Sequence, residues 1–241
     1  PKFKPKPTTI ELPSIGSLPC DHHARLFYSG RKMPNSFIDK VYYADDFRGW
    51  AMSISEIDYS NLGREESRMV IPFYDTEGNL IAAQGRALGS HELRYITVKV
   101  SEESLKVYGL ERWNSESTTY IVEGPIDSMF LPNCLAVAGG DLQSIKINKE
   151  MCVLIFDNEP RNEHTVKKLM KAIDDGWEVV VWPKQFEFSE LRDMYKMKKF
   201  KDINDLVMNG LSIDEILRII NKNTMKGLKA NWAARKWRNV H

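Results

Sequence analysis

The sequence predicts an α/β fold: a parallel β-sheet flanked by helices, preceded by a smaller α+β subdomain and followed by C-terminal helices. Three observations predict it. Short apolar segments alternate with helical ones between residues 117 and 208, which is typical of a parallel sheet covered on both faces. Before them, two apolar runs flank a turn sequence, which indicates an antiparallel hairpin. After them, the pattern is helical.

Residues 1–19 carry prolines at positions 1, 5, 7, 13 and 19, which predicts an extended arm or linker. Residues 20–116 are predicted to form the α+β subdomain. In it, Asp21 is expected to cap a short helix that reaches Tyr28, and Pro34 to open a second one. The strands expected here span residues 69–74, 80–84 and 94–100, with a turn at 75–79.

Residues 117–208 are predicted to form the parallel sheet and its helices. The strands are expected at 118–122, 135–138, 151–156 and 178–182, and a helix at 162–174. Residues 209–241 are predicted to be a helical segment with a basic tail. Ser212 begins its first helix, because Glu215 follows three residues later and completes a capping box.

The composition is that of an ordinary globular protein and argues against several classes. The net charge is +1 at pH 7, so no overall basic field indicates a nucleic-acid partner. The three cysteines include no C-x-x-C pair, which argues against a zinc site and fits a reducing compartment. No apolar run has the length of a membrane span, and the start does not resemble a secretory signal. We therefore expect a cytoplasmic protein that makes no membrane contact.

Acidic residues follow the predicted strands at three places. They are Glu123 and Asp127 in E-G-P-I-D, Asp157 and Glu159 in D-N-E, and Asp202 in K-D-I-N-D. Because parallel strands end at one edge of a sheet, the first two groups converge if their strands are neighbours. Converging carboxylates repel unless cations neutralise them, and Mg²⁺ or Mn²⁺ prefers such oxygen ligands. The pattern predicts a site for two divalent ions, which together stabilise an in-line displacement at phosphorus.

Each motif also has an ordinary structural interpretation. E-G-x-x-D occurs often in loops. Acids after a strand can begin a helix, where the helix dipole favours them, and D-x-N-D can supply an N-cap. The joint occurrence of all three at strand ends, in this order, favours one common site.

These residues resemble the Toprim domain, which bacterial DnaG-type primases, phage primase–helicases, type IA and II topoisomerases and some nucleases share. The family pattern is a strand ending in E-G-x-x-D and a later strand ending in D-x-D. Glu123, Gly124 and Asp127 match the first element, and Asp157 matches the start of the second. Glu159 stands where the family has Asp; it keeps the charge but reaches one methylene further.

Segments outside these motifs resemble the primases in particular, phage-encoded ones among them. Residues 71–78 and 84–88 are similar to the primase patterns F-P-I-x-D-x-x-G and G-x-x-G-R. Residues 94–96 and 107–110 look like the stretch that leads into the primase Toprim strand, and 201–205 look like the late K-D-x-N/D element. The resemblance implies a Toprim-like sheet in a DNA primase catalytic core.

The resemblance implies metal-dependent synthesis of short RNA primers from ribonucleoside triphosphates on a single-stranded DNA template, with a replicative helicase as partner. It implies that Glu123 is catalytic, as the metal ligand nearest the reaction or as a general acid/base. Catalytic metal ligands at Asp157 and Glu159, and metal-binding or supporting groups at Asp127 and Asp202, are implied as well. Contacts to nucleotide or template are expected from Arg86, Lys99, Gly124 and Lys201.

Basic and aromatic residues are interleaved in residues 222–241, which contain six Lys or Arg and no acid. Arg235, Lys236 and Arg238, together with Trp232 and Trp237, could neutralise phosphates and stack bases of single-stranded DNA. Alternatively, the tryptophans pack a C-terminal helix on the body, or the helix docks a helicase. Because residues five apart do not share a helix face, the two tryptophans are not expected to form one stripe.

Two other functions remain open. A Toprim nuclease would use the same acids, and a non-catalytic Toprim protein would bind nucleic acid or a replisome partner. A topoisomerase is disfavoured, because the chain shows no recognisable domain for a nucleophilic tyrosine. The sequence has no P-loop and hence no sign of a helicase motor, and its histidines (His22, His23 and His91 among them) lack further ligands at metal spacing.

Overall fold

A computed structural model describes residues 10–62, 66–138, 147–183 and 200–238. Within these residues lie two β-sheets, one antiparallel and one mainly parallel, as the sequence predicts. Residues 1–9 of the predicted arm and residues 239–241 of the predicted basic tail lie outside the described residues.

The first sheet is four-stranded and antiparallel, in the order β1-β2-β3-β4. Its strands are β1 (Tyr42–Ala44), β2 (Arg68–Tyr74), β3 (Leu80–Ala87) and β4 (Tyr95–Lys99), and two helices accompany it, α1 (His23–Gly30) and α2 (Phe47–Ile54). The predicted hairpin is confirmed as β2 and β3. Its turn forms because the Asp75 carboxylate accepts the N–H groups of Glu77 and Asn79, and Gly78 adopts a φ of 83°.

Helix α1 has a different cap from the one predicted. Its N-cap is His22, whose Nδ1 accepts the N–H of Ala24 at 3.2 Å, so Asp21 does not cap it. Pro34 precedes a single 3-10 turn (Asn35–Phe37) instead of a helix. Strand β1 and helix α2 lie in a stretch for which the sequence patterns predict no element.

Helix α2 covers one face of the antiparallel sheet. Phe47 and Trp50 pack there in a small apolar cluster with Val70, Ala83 and Val98. Gly85 lies directly beneath Phe47: a Cβ at this position would be 2.6 Å from the ring carbons of Phe47. The glycine in the Q-G-R segment of β3 therefore leaves room for α2 to approach the sheet.

The other face of the antiparallel sheet belongs to a core that continues into the second sheet. Ile71 and Phe73 of β2 are completely buried in it. The ring centroids of Phe73 and Tyr108 are 5.5 Å apart, and Tyr108 belongs to the second sheet. Because one apolar core spans both sheets, packing determines their relative position.

The second sheet has six strands in the order β10-β9-β8-β6-β7-β5. They are β5 (Val107–Tyr108), β6 (Thr119–Val122), β7 (Cys134–Val137), β8 (Cys152–Leu154), β9 (Glu178–Val180) and β10 (Thr224–Met225). The four central strands are parallel, as predicted. The edge strands β5 and β10 pair antiparallel and extend the sheet beyond residues 117–208. Each is two residues long, too short to show a periodicity in sequence.

The remaining helices are α3 (Pro125–Ser128), α4 (Glu163–Asp174), α5 (Ile203–Met208), α6 (Ile213–Asn223) and α7 (Gly227–Arg238). The side chain of Asn162 caps α4 by accepting the N–H groups of the first turn. The predicted capping box of Ser212 and Glu215 opens α6. Helix α7 packs against α4 on one side of the sheet. Across the described ranges, none of these helices combines the length and apolarity that a membrane span requires.

Gly85→Ala is expected to lower the free energy of unfolding by roughly 1–3 kcal/mol, because the new methyl group would overlap the buried ring of Phe47. Urea denaturation of the whole chain measures this. Gly30→Ala is the matched control, since a Cβ at the end of α1 meets no atom within 4 Å. Equal stabilities of the two variants would show that Gly85 does not set the approach of α2.

Candidate active site

Strands β6 and β8 are parallel neighbours, with Tyr120 opposite Val153 and Ile121 opposite Leu154. Glu123 follows the last residue of β6, and Asp157 lies three residues beyond the end of β8. Both therefore emerge at the carboxyl edge of the sheet on adjacent strands. The expectation that the two acidic motifs converge is met.

The carboxylates are close enough to perturb one another. The pKa of Asp157 is raised to about 6, first by burial and next by the negative charge of Glu123. Burial also raises the pKa of Asp127 well above its usual range, and Asp202 adds to that effect. The pKa of Asp202 is raised chiefly by burial. We call Glu123, Asp127, Asp157, Glu159 and Asp202 the acidic cluster.

Two lysines neutralise part of this charge. Lys201 Nζ lies 3.3 Å from Asp157 Oδ2 and 3.2 Å from Glu159 Oε1. Lys168, on α4, places its Nζ 3.1 Å from Glu123 Oε1. Burial by itself would lower the pKa of Lys201, but the two carboxylates outweigh it and the pKa is raised. The sequence predicts a phosphate contact for Lys201; the structure places it between two acids.

Asp127 is held by the backbone of α5. Its Oδ1 accepts the N–H of Asn204 at 2.9 Å. Gly124 precedes α3 with a φ of −109°, an ordinary extended conformation that does not require glycine. A Cβ at Gly124 would instead lie 3.2 Å from Asp127 Oδ2, so the glycine provides space beside this carboxylate.

The ordinary structural interpretations of two motifs hold alongside the cluster. Asp202 is the N-cap of α5 and accepts the N–H of Asp205 at 2.8 Å. Glu159 precedes α4 and accepts a hydrogen bond of 3.1 Å from the side chain of Asn162, the N-cap of that helix. These helix starts orient the carboxylates, and the same acids still converge.

Two hydrogen bonds between Arg31 and Asn204 join α1 to α5, the helix that holds Asp127. Arg31, the C-cap of α1, donates to Asn204 Oδ1 at 2.9 Å, and Asn204 Nδ2 donates back to the Arg31 carbonyl at 2.8 Å. Asn204 is 1% exposed. The positive charge of Arg31 acts to lower the pKa of Asp202, against the larger effect of burial. No sequence signal singles out Arg31, because its partner is distant in the chain.

Arg86 lies beside Arg31 in what we call the guanidinium pocket, formed by Phe27, Arg31, Arg86 and Tyr95. The Arg86 guanidinium carbon is 5.4 Å from the Phe27 ring centroid and 4.7 Å from that of Tyr95. Arg86 is buried, which lowers its pKa, and its Nε has no hydrogen-bond acceptor among the described residues. The pKa of Tyr95 is raised by burial, and Asp127 contributes, so the pocket borders the acidic cluster.

The structure does not bring the other predicted basic residues to the cluster. Lys99 lies at the far end of β4 from Tyr95 and contacts the carbonyl of Glu102. Arg235, Lys236 and Arg238 are exposed on α7. Trp232 and Trp237 point to different sides, as expected: Trp232 is 62% exposed and Trp237 is 7% exposed.

The donor set suits a hard divalent cation, because it consists of carboxylate oxygens whose charges raise one another's pKa. Across the described ranges, however, no three His, Cys, Asp or Glu residues are arranged to enclose an ion. Lys168 and Lys201 contact carboxylate oxygens of Glu123 and Asp157 that would otherwise be available to ligate an ion. The chemistry of these side chains suits a metal ion, and in this structure lysine ammonium groups occupy part of the carboxylate oxygens.

No protein-family model matches the chain. It is 32% identical over 249 residues to the DNA primase of Enterobacteria phage T4, in an alignment that covers 100% of this chain and 68% of that protein. Among solved structures, a DnaG catalytic core matches with a TM-score of 0.62 and 16% identity, over 88% of this chain and 76% of that one.

The Aquifex aeolicus primase, with its zinc-binding and RNA polymerase domains, matches with a TM-score of 0.54 and 16% identity, over 85% of this chain and 56% of that one. The chain thus spans little more than half of that bacterial protein. At this identity the solved structures establish the fold, and the phage relative establishes the family. The fold is that of DnaG catalytic cores. Since the identity to the phage primase extends along the whole chain, this chain belongs to the DNA primase family.

Proposed function

We propose that this chain is the catalytic core of a phage-type DNA primase, which polymerises ribonucleoside triphosphates into short primers on a single-stranded DNA template. The observation that carries the proposal is the convergence of Glu123, Asp127, Asp157 and Asp202 at the carboxyl edge of the central strands. In a parallel α/β sheet this edge is where ligands bind. A replicative helicase is the partner we expect, in the cytoplasm of the host cell.

Mg²⁺ or Mn²⁺, in two positions, is the proposed cofactor, and the acidic cluster would hold it. When bound, such ions neutralise the charge that develops on the oxygens of an in-line displacement at phosphorus. Glu123 is the proposed catalytic residue nearest the 3′-hydroxyl, where its carboxylate can ligate or accept a proton. Asp157 and Glu159 would ligate the ions with the carboxylate oxygens that Lys201 now contacts, after the lysine has moved away.

The triphosphate and the template need cationic partners, and we assign these to the basic residues around the cluster. Arg86 supports this role because its buried guanidinium lies over two aromatic rings and its Nε lacks an acceptor among the described residues. Lys201, once displaced from Asp157 and Glu159, could bind the phosphates of the triphosphate. Gly124 would let a phosphate approach the backbone, and Lys99 would contact the template at the far end of β4.

Helix α7 is the proposed contact for single-stranded DNA outside the cluster. Trp232 is exposed, and Lys236 Nζ lies 3.4 Å from its ring centroid. Arg235 and Arg238 are exposed on the same helix. An exposed indole beside cationic side chains can stack a base while the charges neutralise phosphates.

Glu123→Gln and Asp157→Asn are expected to reduce primer synthesis at least about 100-fold, because each removes a carboxylate charge that would hold the metal ions which neutralise the charge developing at phosphorus. Labelled ribonucleotides on single-stranded DNA with Mg²⁺ or Mn²⁺ measure this. Glu163→Gln is the matched control: it removes an exposed carboxylate on α4 that pairs with Lys167 at 3.7 Å. Full activity of the first two variants would refute the site, and DNA cleavage without primers would identify a nuclease.

Asp157→Asn is also expected to stabilise the metal-free protein at pH 7. Because the pKa of Asp157 is raised to about 6, the folded state keeps a proton between about pH 4 and pH 6 that the unfolded state has already released. At pH 7 the folded protein therefore carries the full cost of the ionised carboxylate. Stability of the wild-type protein therefore falls as pH rises from about 4, the ordinary pKa of Asp, to about 6. The Asp157→Asn protein lacks this effect, so its free energy of unfolding at pH 7 should exceed that of the wild-type protein by on the order of 1 kcal/mol.

Urea denaturation in a chelator at pH 4 and pH 7 measures this difference, which should vanish at pH 4. Added Mg²⁺ should narrow it at pH 7 by stabilising the wild-type protein. An Asp157→Asn protein less stable than wild type at pH 7 would mean that the ionised carboxylate is favourable in the fold.

Trp232→Ala is expected to weaken binding of single-stranded DNA about fivefold or more, because stacking contributes roughly 1–3 kcal/mol per base. Fluorescence anisotropy with a labelled oligonucleotide measures it. Met52→Ala on α2 is a control for loss of an exposed apolar side chain, since Met52 is 47% exposed. Unchanged affinity in Trp232→Ala would remove α7 from the DNA-binding surface.

A further inference from the structure

We propose that helix α7 positions the metal-binding loop through Trp237, which acts on the acids by holding Asn158. Asn158 lies between the acids Asp157 and Glu159. The proposal deepens the proposed function and rests on it only for the role given to the metal. Trp237 is a positioning residue; it touches neither substrate nor carboxylate.

The hydrogen bonds of Asn158 show how the loop is held. Trp237 Nε1 donates to Asn158 Oδ1 at 2.8 Å. On the other side of the amide, Asn158 Nδ2 donates to the Phe200 carbonyl at 3.2 Å, and the backbone N–H of Asn158 donates to the Lys201 carbonyl at 2.6 Å. This residue thus links the loop after β8 to α7 and to the segment that carries Lys201 and Asp202.

A second tryptophan secures the other side of Asp157. Trp182, which follows β9, donates its Nε1 proton to the Phe156 carbonyl at 2.7 Å. Its ring packs edge-on against Phe200, with centroids 5.2 Å apart. Asp157 therefore stands between two residues, Phe156 and Asn158, that are each held by an indole N–H.

This arrangement answers a physical need of the site. Asp157 and Glu123 repel each other, and a loop free to move would relax by separating them. Neutral hydrogen bonds from buried indoles resist that movement without adding charge. Groups that orient metal ligands in this way typically change metal affinity about 10–100-fold when removed.

Helix α7 can transmit this constraint because it is fixed to the body. Trp237 is 7% exposed, and the helix packs along α4, which begins just after Glu159. The opposite side of α7 carries Trp232, which is exposed. One helix therefore carries both the proposed template contact and the tie to the metal-binding loop.

Trp237→Phe is the central variant, because it keeps an aromatic ring in the pocket and removes the N–H donor. Trp113→Phe is the matched control. It removes an indole N–H bond of similar length, 2.9 Å to Thr119 Oγ1, where β6 begins at the opposite edge of the sheet. Asn158→Ala removes the acceptor of the same hydrogen bond, together with the bond from Asn158 Nδ2 to the Phe200 carbonyl, and leaves α7 unaltered. It tests whether Asn158 holds the loop if Trp237→Phe folds poorly.

The first measurement is hydrogen–deuterium exchange of the metal-free whole chain, read on peptides that cover residues 155–160. Exchange there should accelerate in Trp237→Phe and Asn158→Ala, and stay at the wild-type rate in Trp113→Phe.

The second measurement is Mn²⁺ binding by calorimetry without DNA or nucleotide. Trp237→Phe should weaken it about tenfold and Asn158→Ala at least as much, and the double variant should be no weaker than Asn158→Ala alone.

Exchange in Trp237→Phe that matches the Trp113→Phe control would overturn the inference, as would additive losses of Mn²⁺ affinity. The proposed function fails in a different way: wild-type protein would then bind no more Mn²⁺ than Glu123→Gln or Asp157→Asn. In that case the exchange rates still decide whether Trp237 positions the loop.

Discussion

The site depends on the repulsion between carboxylates that the parallel sheet forces together. Because β6 and β8 are neighbours, Glu123 and Asp157 leave the sheet side by side, and the partial burial of Asp157 removes some of the water that would weaken their interaction. Lys168 and Lys201 offset part of the charge. Such an arrangement lowers the stability of the folded protein, and the proposed divalent cation would offset that cost, which is a common compromise between stability and function.

The acids cannot hold themselves in place, so neutral groups around them do. Asn204 fixes Asp127 through its backbone N–H and joins α5 to Arg31 through its side chain. Asn158 holds the loop after β8 in place, because its side-chain oxygen accepts a hydrogen bond from Trp237. These contacts connect α1 and α7 to the residues around the acidic cluster. The guanidinium pocket borders the same cluster. Polar contacts from several segments thereby determine one arrangement of charges.

Features that depend on local pattern could be predicted from the sequence. The hairpin, the central strands, the capping box of α6 and the acids at the strand ends all follow from periodicity or from residues close in the chain. Features that depend on distant partners could not. The two-residue edge strands pair only because the core places them beside β7 and β9. Likewise, the partners of Lys168 and Arg31 lie 45 and 173 residues away, and Lys201, expected at a phosphate, instead pairs with the acids.

Anomalous diffraction from crystals grown with Mn²⁺ would locate an ion in the acidic cluster without reference to activity. We expect anomalous peaks among the oxygens of Glu123, Asp127 and Asp157, with the ammonium group of Lys201 moved away from Asp157. Peaks elsewhere in the molecule, or an intact pair between Lys201 and Asp157 at saturating Mn²⁺, would contradict this expectation.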